Sequence, residues 1–235
     1  MALAPPAVRP DPTRLTGLLR DLGSEVRRGG SPPEARADLA TGIPALDALL
    51  GGGLARGRTS ELHGPLSSGR TSLALALLAR ATGAGEVVAV IDAADAFHPA
   101  SARDAGVQLE RVLWVRPPGV SEAVHASERL LQARGFAVVL LDAAGRDQEW
   151  QALPAAVWQR LTRAAAAGGT ALIVVSQRRV TGSHADLALA LQPICVRFTG
   201  TPCLFEGLEL EAAIARQRRG RPGRPVAVGL RAAPG

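Results

Sequence analysis

Gly64-Pro65-Leu66-Ser67-Ser68-Gly69-Arg70-Thr71-Ser72 is the stretch on which the fold turns. It follows the spacing G-x-x-x-x-G-K-[ST] at every position but one, with Arg70 standing where that pattern has lysine. A short β-prone run over 59–63 leads into it, and the apolar run Ser72-Leu-Ala-Leu-Ala-Leu-Leu78 leaves it as the start of a helix expected over 71–82. Strand, glycine-rich loop and helix in that order bring backbone N–H groups and a helix N-terminus together on one anion. Residues 64–72 are therefore the candidate binding segment for the phosphates of ATP, with the Thr71 hydroxyl placed to meet Mg²⁺. Arg70 keeps the charge of lysine but is planar, wider and differently hydrated, so the geometry at the outer phosphates changes.

Outward from this loop the chain alternates strand and helix signals. Strands are expected at 59–63, 86–92, 111–115, 136–141 and 170–175, and helices at about 71–82, 99–105, 121–134 and 150–167. Phe136-Ala-Val-Val-Leu-Leu141 and Ala171-Leu-Ile-Val-Val175 are apolar at every position, as strands covered on both faces must be. The fold class is α/β, with a central mostly parallel sheet flanked by helices. From residue 193 onward the β-like segments 193–198, 206–214 and 225–231 follow one another without helices, which predicts an antiparallel extension at one edge.

Residues 1–40 read as an N-terminal amphipathic helix and linker, and 41–235 as the core with its basic β-extension. Leu15, Leu18, Leu19, Leu22 and Val26 fall at helical spacing before Gly29-Gly30 and Ser31-Pro32-Pro33. Two readings stay open for this stripe: packing on its own domain, or an arm that makes an oligomer or docks a partner. No stretch approaches the ~18 apolar residues that span a bilayer, and prolines interrupt the amino terminus, so a cytoplasmic protein with no membrane partner is expected. Cys195 and Cys203 lack metal-ligand spacing.

The chain has 235 residues and a net charge of +6. All 27 basic residues are arginine, and lysine and tyrosine are absent. An acidic partner such as DNA fits this charge, as does a compositional preference for arginine. With aromatics at 3%, a base-stacking platform for single strands is not expected.

Asp142 closes the strand Val138-Val-Leu-Leu-Asp142, and Asp92 closes Val87-Val-Ala-Val-Ile-Asp92. A carboxylate at a strand's carboxyl end beside a phosphate loop can hold Mg²⁺ through water, which makes Thr71 and Asp142 the candidate metal pair. The alternative for Asp142 is a turn or helix cap.

These residues resemble RecA. Thr41-Gly-Ile-Pro-Ala-Leu-Asp47-Ala-Leu-Leu-Gly51-Gly-Gly-Leu54 is similar to the segment leading into the RecA phosphate loop. Ile91-Asp92-Ala-Ala94-Asp95-Ala-Phe-His-Pro99, Ala105-Gly106-Val107 and Leu113-Trp114-Val115 then follow in RecA order. The resemblance implies that Ala94 stands where RecA has the glutamate that activates the attacking water. It implies also that Ser176-Gln177 keeps only the second residue of an Asn-Gln sensor. Asp95 and Gln177 are the remaining catalytic candidates, and Asp95 is expected on the wrong side of a strand. The segments corresponding to DNA-binding loops, 143–150 and 178–185, are short. Losing a positioned general base costs ~10²–10⁴ in rate, and weakening one transition-state contact costs ~10²–10³; either opposes efficient hydrolysis.

The shortened core, the damaged hydrolysis residues and the basic tail make the chain resemble the ImuA-type RecA paralogues of damage-induced mutagenesis cassettes. That resemblance implies an accessory role in SOS mutagenesis and translesion synthesis, alongside polymerase components or RecA. The competing expectation is an active DNA-dependent ATPase or strand-exchange enzyme. Arg216, Arg218, Arg219, Arg221 and Arg224 crowd nine residues and are expected to form a flexible cationic loop. Together with Arg178 and Arg179, where a RecA DNA loop begins, they supply the DNA-binding candidates Arg178, Arg179, Arg216, Arg218, Arg219 and Arg221. A solvated turn is the alternative.

Overall fold

The computed structural model describes residues 38–201, 204–218 and 223–231. The stripe over 13–28, Cys203, Arg219 and Arg221 lie outside them.

Eight strands form one sheet in the order β3-β2-β4-β5-β1-β6-β7-β8. Strands β1 (Thr59–His63), β2 (Val87–Asp92), β3 (Val112–Val115), β4 (Phe136–Asp142), β5 (Ala171–Ser176) and the start of β6 (Leu187–Thr199) run parallel. Strands β7 (Leu204–Gln217) and β8 (Val226–Arg231) complete it antiparallel. The expected fold class is the one observed.

Period-two alternation within the all-apolar strands divides the core. Val88, Val90, Val138, Leu140, Ile173 and Val175 face one side, against Leu73, Leu77 and Leu78 of helix α2 (Arg70–Gly83). Ala89, Ile91, Val139, Leu141, Leu172 and Val174 face the other, against α4 (Val120–Ala133) and α6 (Ala155–Gly168). Truncating a buried leucine in such a layer typically costs about 2–5 kcal/mol.

Three boundaries differ from expectation. The helix expected over 150–167 is two helices, α5 (Asp147–Gln151) and α6, because Pro154 has no N–H to donate and drives Leu153 out of the helical region. The strand expected at 193–198 begins at Leu187; its first residues, to Ala190, lie between β1, paired parallel, and β7, paired antiparallel, and the rest pairs with β7 alone. The leader into the phosphate loop carries α1 (Pro44–Leu50), and Asp47 draws the chain back on itself by accepting from the N–H groups of Thr41 (2.7 Å) and Gly42 (3.2 Å). A short helix α3 (Pro99–Asp104) follows β2.

Among the described residues, no helix is long and apolar enough to cross a membrane.

Candidate functional site

Parallel strands place their carboxyl ends on one edge of a sheet, and crevices there are the usual ligand sites of open α/β folds. Register aligns His63 with Ser176 across β1 and β5, and Asp92 with Asp142 across β2 and β4. The turn into α2 and the candidate carboxylates therefore share that edge.

The turn itself is as the sequence predicts. β1 ends at His63, α2 begins at Arg70, and Ser67 (φ 59°) and Gly69 (φ 80°) take left-handed backbone between them. A Cβ on Gly64 would stand 2.2 Å from the Leu191 carbonyl of β6. One on Gly69 would stand 2.4 Å from a Leu210 methyl of β7. The two glycines are thus demanded by the close approach of the edge strands as well as by the loop. Pro65, Leu66 and Ser67 are exposed at its crest, whereas Ser68, Gly69 and Arg70 are buried.

Beneath the crest lie buried polar atoms without partners, Ser68 Oγ and Arg70 Nη1. Burial lowers the Arg70 pKa, opposed by the negative charges of Asp142 and Asp147. Asp142 is raised by burial above all, with Asp92 adding to the rise; the Ala144 N–H (3.1 Å) and the Arg70 charge work against it. Thr71 and Asp142 line the same cavity of about 240 Å³, with His98 and Ser101 at its rim. Ser72 opens onto a neighbouring groove of about 850 Å³ along α2. Buried unsatisfied groups call for an explanation. Here a phosphate would satisfy the Ser68 and Arg70 donors, and an oxygen-seeking cation would suit Thr71 and Asp142.

The remaining candidates are treated differently by the fold. Asp92 is a turn anchor, accepting from the N–H groups of Ala96 (2.8 Å) and Phe97 (3.1 Å) and from Trp114 Nε1 (3.2 Å). Asp95 is not on the far side of a strand, because β2 has ended at Asp92; it lies in a left-handed turn (φ 53°). There it is exposed and bound to Arg116 at 2.6 Å. Ala94 presents a methyl group to a cavity bordered by Asp95, Arg116 and Arg146. Gln177 is half-buried just beyond β5, its N–H donating to Asp147 Oδ1 (3.2 Å).

The arginine candidates do not form one surface. Arg178 is exposed at the carboxyl end of the sheet, and Arg179 turns inward to the Gly182 carbonyl and to Glu61 (3.9 Å). Arg216 belongs to β7 and not to a loop, because pairing with Ala188 continues to that point; its Nε donates to the Ala185 carbonyl (3.4 Å). Arg218 lies 3.9 Å from Asp186, whose other neighbour is Arg58 at 3.7 Å. Asp186 N donates to the Thr59 carbonyl, so this second group sits at the amino end of β1, the end opposite the phosphate loop.

Sequence reasoning missed Glu61. It is completely buried in the middle of β1. Its carboxylate accepts from Val180 N (2.6 Å), Thr181 N (3.3 Å), Thr181 Oγ1 (2.5 Å) and Ser176 Oγ (3.3 Å). An acid inside an otherwise buried strand was the available signal, since such a charge must find donors. His63, two residues on, has its pKa lowered by burial first, with Arg179 and Arg70 also lowering it and Glu61 opposing.

The chain matches the RecA N-terminal domain over residues 22–147, more than half its length. It belongs to the RecA N-terminal domain family. Two RecA proteins illustrate the likeness. That of Bifidobacterium longum is 39% identical over 121 residues, covering 51% of this chain and 30% of that protein. That of Chlorobium chlorochromatii is 40% identical over 122 residues, covering 51% and 35%. The chain thus spans about a third of the length of the RecA proteins it matches. A crystal structure of the RadB recombinase superposes with a TM-score of 0.63 over 80% of this chain and 94% of that one, at 24% identity, a likeness of fold. The RecA match takes in the phosphate loop, Asp92 and Asp142, and stops short of Glu61's partner loop and the β6–β8 extension.

Proposed function

We propose that this chain is a RecA-like accessory factor of the DNA-damage response, of the ImuA type, acting in translesion synthesis beside polymerase components or RecA itself. Its nucleotide site holds phosphates but is poorly equipped to cleave them. What supports this reading is a loop with buried donors that lack partners, together with a methyl group, Ala94, where the resemblance to RecA implies the water-activating carboxylate.

Residues 64–72 would bind the phosphates of ATP through backbone N–H groups, Ser68 Oγ and the Arg70 guanidinium. Thr71 and Asp142 would hold Mg²⁺, which neutralises phosphate charge when bound. Asp95 is a poor substitute base, because it lies in an exposed left-handed turn beyond β2 with its carboxylate turned to Arg116. Arg178 offers the exposed charge for a DNA backbone at the carboxyl end of the sheet; Arg216 and Arg218, at the amino end of β1, would form a second phosphate contact, with Arg219 and Arg221 next to them in sequence. The N-terminal segment supplies an arm for oligomer or partner contact.

The test is turnover and capture together. ATP hydrolysis measured with and without single-stranded DNA is expected to stay near background, while a labelled ADP binds. Capture from damage-treated cells should bring down polymerase components or RecA. Robust DNA-stimulated hydrolysis that Asp95→Ala abolishes would replace this reading with the working recombinase.

A further inference from the structure

The passage from β5 to β6 is a parallel crossover made without a helix. Residues 177–186 leave the carboxyl end of β5, cross the face of β1 and re-enter the sheet at its amino end, where Asp186 N meets the Thr59 carbonyl. A crossover normally satisfies its own backbone by coiling into a helix. This one presents N–H groups to the sheet, and Glu61 receives them. Val180 N and Thr181 N both reach Glu61 Oε1, Thr181 Oγ1 reaches Oε2, and Ser176 Oγ closes the set. On the outer side, Gln177 N donates to Asp147 and Gln151 Nε2 to the Arg179 carbonyl (3.0 Å). Among the described residues, no hydrogen bond joins the crossover to the phosphate cradle at 64–71.

We propose that Glu61 is a positioning residue that sets the arginine-bearing crossover on the body of the domain, so that Arg178 meets an acidic polymer in one fixed placement whatever fills the cradle. The inference rests on the proposed contact between Arg178 and DNA for its affinity arm, and on geometry alone for its exchange arm. Charge-assisted hydrogen bonds to a buried carboxylate are the strong ones, and two consecutive backbone donors aimed at one oxygen hold a turn more firmly than side-chain contacts would.

The experiment compares the full-length wild type with Glu61→Gln, and with Thr181→Val as the milder variant that removes one donor. In the exchange arm, the Val180 and Thr181 amides of the wild type are expected to keep their protection when Mg-ADP is added. Glu61→Gln should lower that protection about tenfold or more, with the amides of β4 and β5 unchanged. Nucleotide-dependent exchange at these two amides in the wild type, or full protection in both variants, would overturn the proposal. In the affinity arm, Glu61→Gln and Arg178→Ala should each weaken binding to a 30-nucleotide single strand by a similar factor. Combined, they should weaken it little further; multiplied effects would show that Glu61 acts only through global stability and would overturn its positioning role. Absence of DNA binding by the wild type would remove the proposed DNA contact, leaving the exchange arm to decide the claim about Glu61.

Discussion

Two acids of the same sheet, Glu61 fully buried and Asp142 half-buried, behave in opposite ways. Glu61 in β1 has four donors within hydrogen-bond distance. Asp142 at the end of β4 has one, and burial pushes its pKa upward. Around Glu61 those four donors are spent on the fold itself, although Arg179 Nε, 3.9 Å from the carboxylate, is buried without a hydrogen-bond partner. Arg70, whose charge acts on Asp142, has a buried nitrogen without a partner, as has the nearby loop residue Ser68 at its hydroxyl. A carboxylate supplied with several donors serves as scaffold, whereas buried polar atoms without partners call for an explanation, which a bound anion would supply at Ser68 and Arg70. The contrast locates the candidate site more sharply than cavity size does, since a groove of about 850 Å³ lies along α2, beside the cradle and not in it.

The comparison breaks most visibly at Gly64. Gly64→Ala forces a methyl into the Leu191 carbonyl and must shift β6 from β1, so a loss of about 2–4 kcal/mol in urea unfolding is expected. A near-neutral result would mean that the cradle and the edge strands are not packed as tightly as described.

Asp142→Asn sharpens the contrast from the other side. A carboxyl whose folded pKa is raised stabilises the fold in its protonated form, and that advantage is lost as pH rises through the folded value. Removing the charge should therefore stabilise the protein at pH 7.5, by about 1.4 kcal/mol for each unit by which the pKa is raised. The gain should shrink toward pH 4, as shown by melting temperatures across pH. A loss of stability at pH 7.5 would place Asp142 with Glu61 among the scaffold acids.

The smallest effect concerns His63. Its lowered pKa means that the neutral ring is favoured in the fold. The stability this represents is present above the unfolded value of about 6.5 and is lost as pH falls through the folded one. His63→Phe should flatten the pH dependence of stability below about 6.5. An unchanged acid limb would exclude His63 as a contributor.

Much of the architecture was legible in the chain. The runs at 136–141 and 171–175 have no polar position, so they had to lie between two helical layers, and they do. The cradle was legible because its glycine spacing is a local backbone requirement. Pro154 was readable as a break in the helix expected over 150–167. Asp95 was misplaced although the strand was expected to close at Asp92, because strand alternation was carried past that end into a left-handed turn that Asp92 anchors through the Ala96 and Phe97 N–H groups.

By itself the sequence determined the α/β class and the strand–loop–helix turn at 59–71, and it nominated the candidates for touching a phosphate. These depend on periodicity and on glycines, which act over a few neighbouring residues. Tertiary structure alone decided that Glu61 belongs to the crossover 119 residues away from it at Val180, that Arg70 is buried, and that the two arginine groups stand at opposite ends of β1. Pairings of that kind are set by which strands become neighbours, and strand order is a property of the folded sheet that no local pattern encodes.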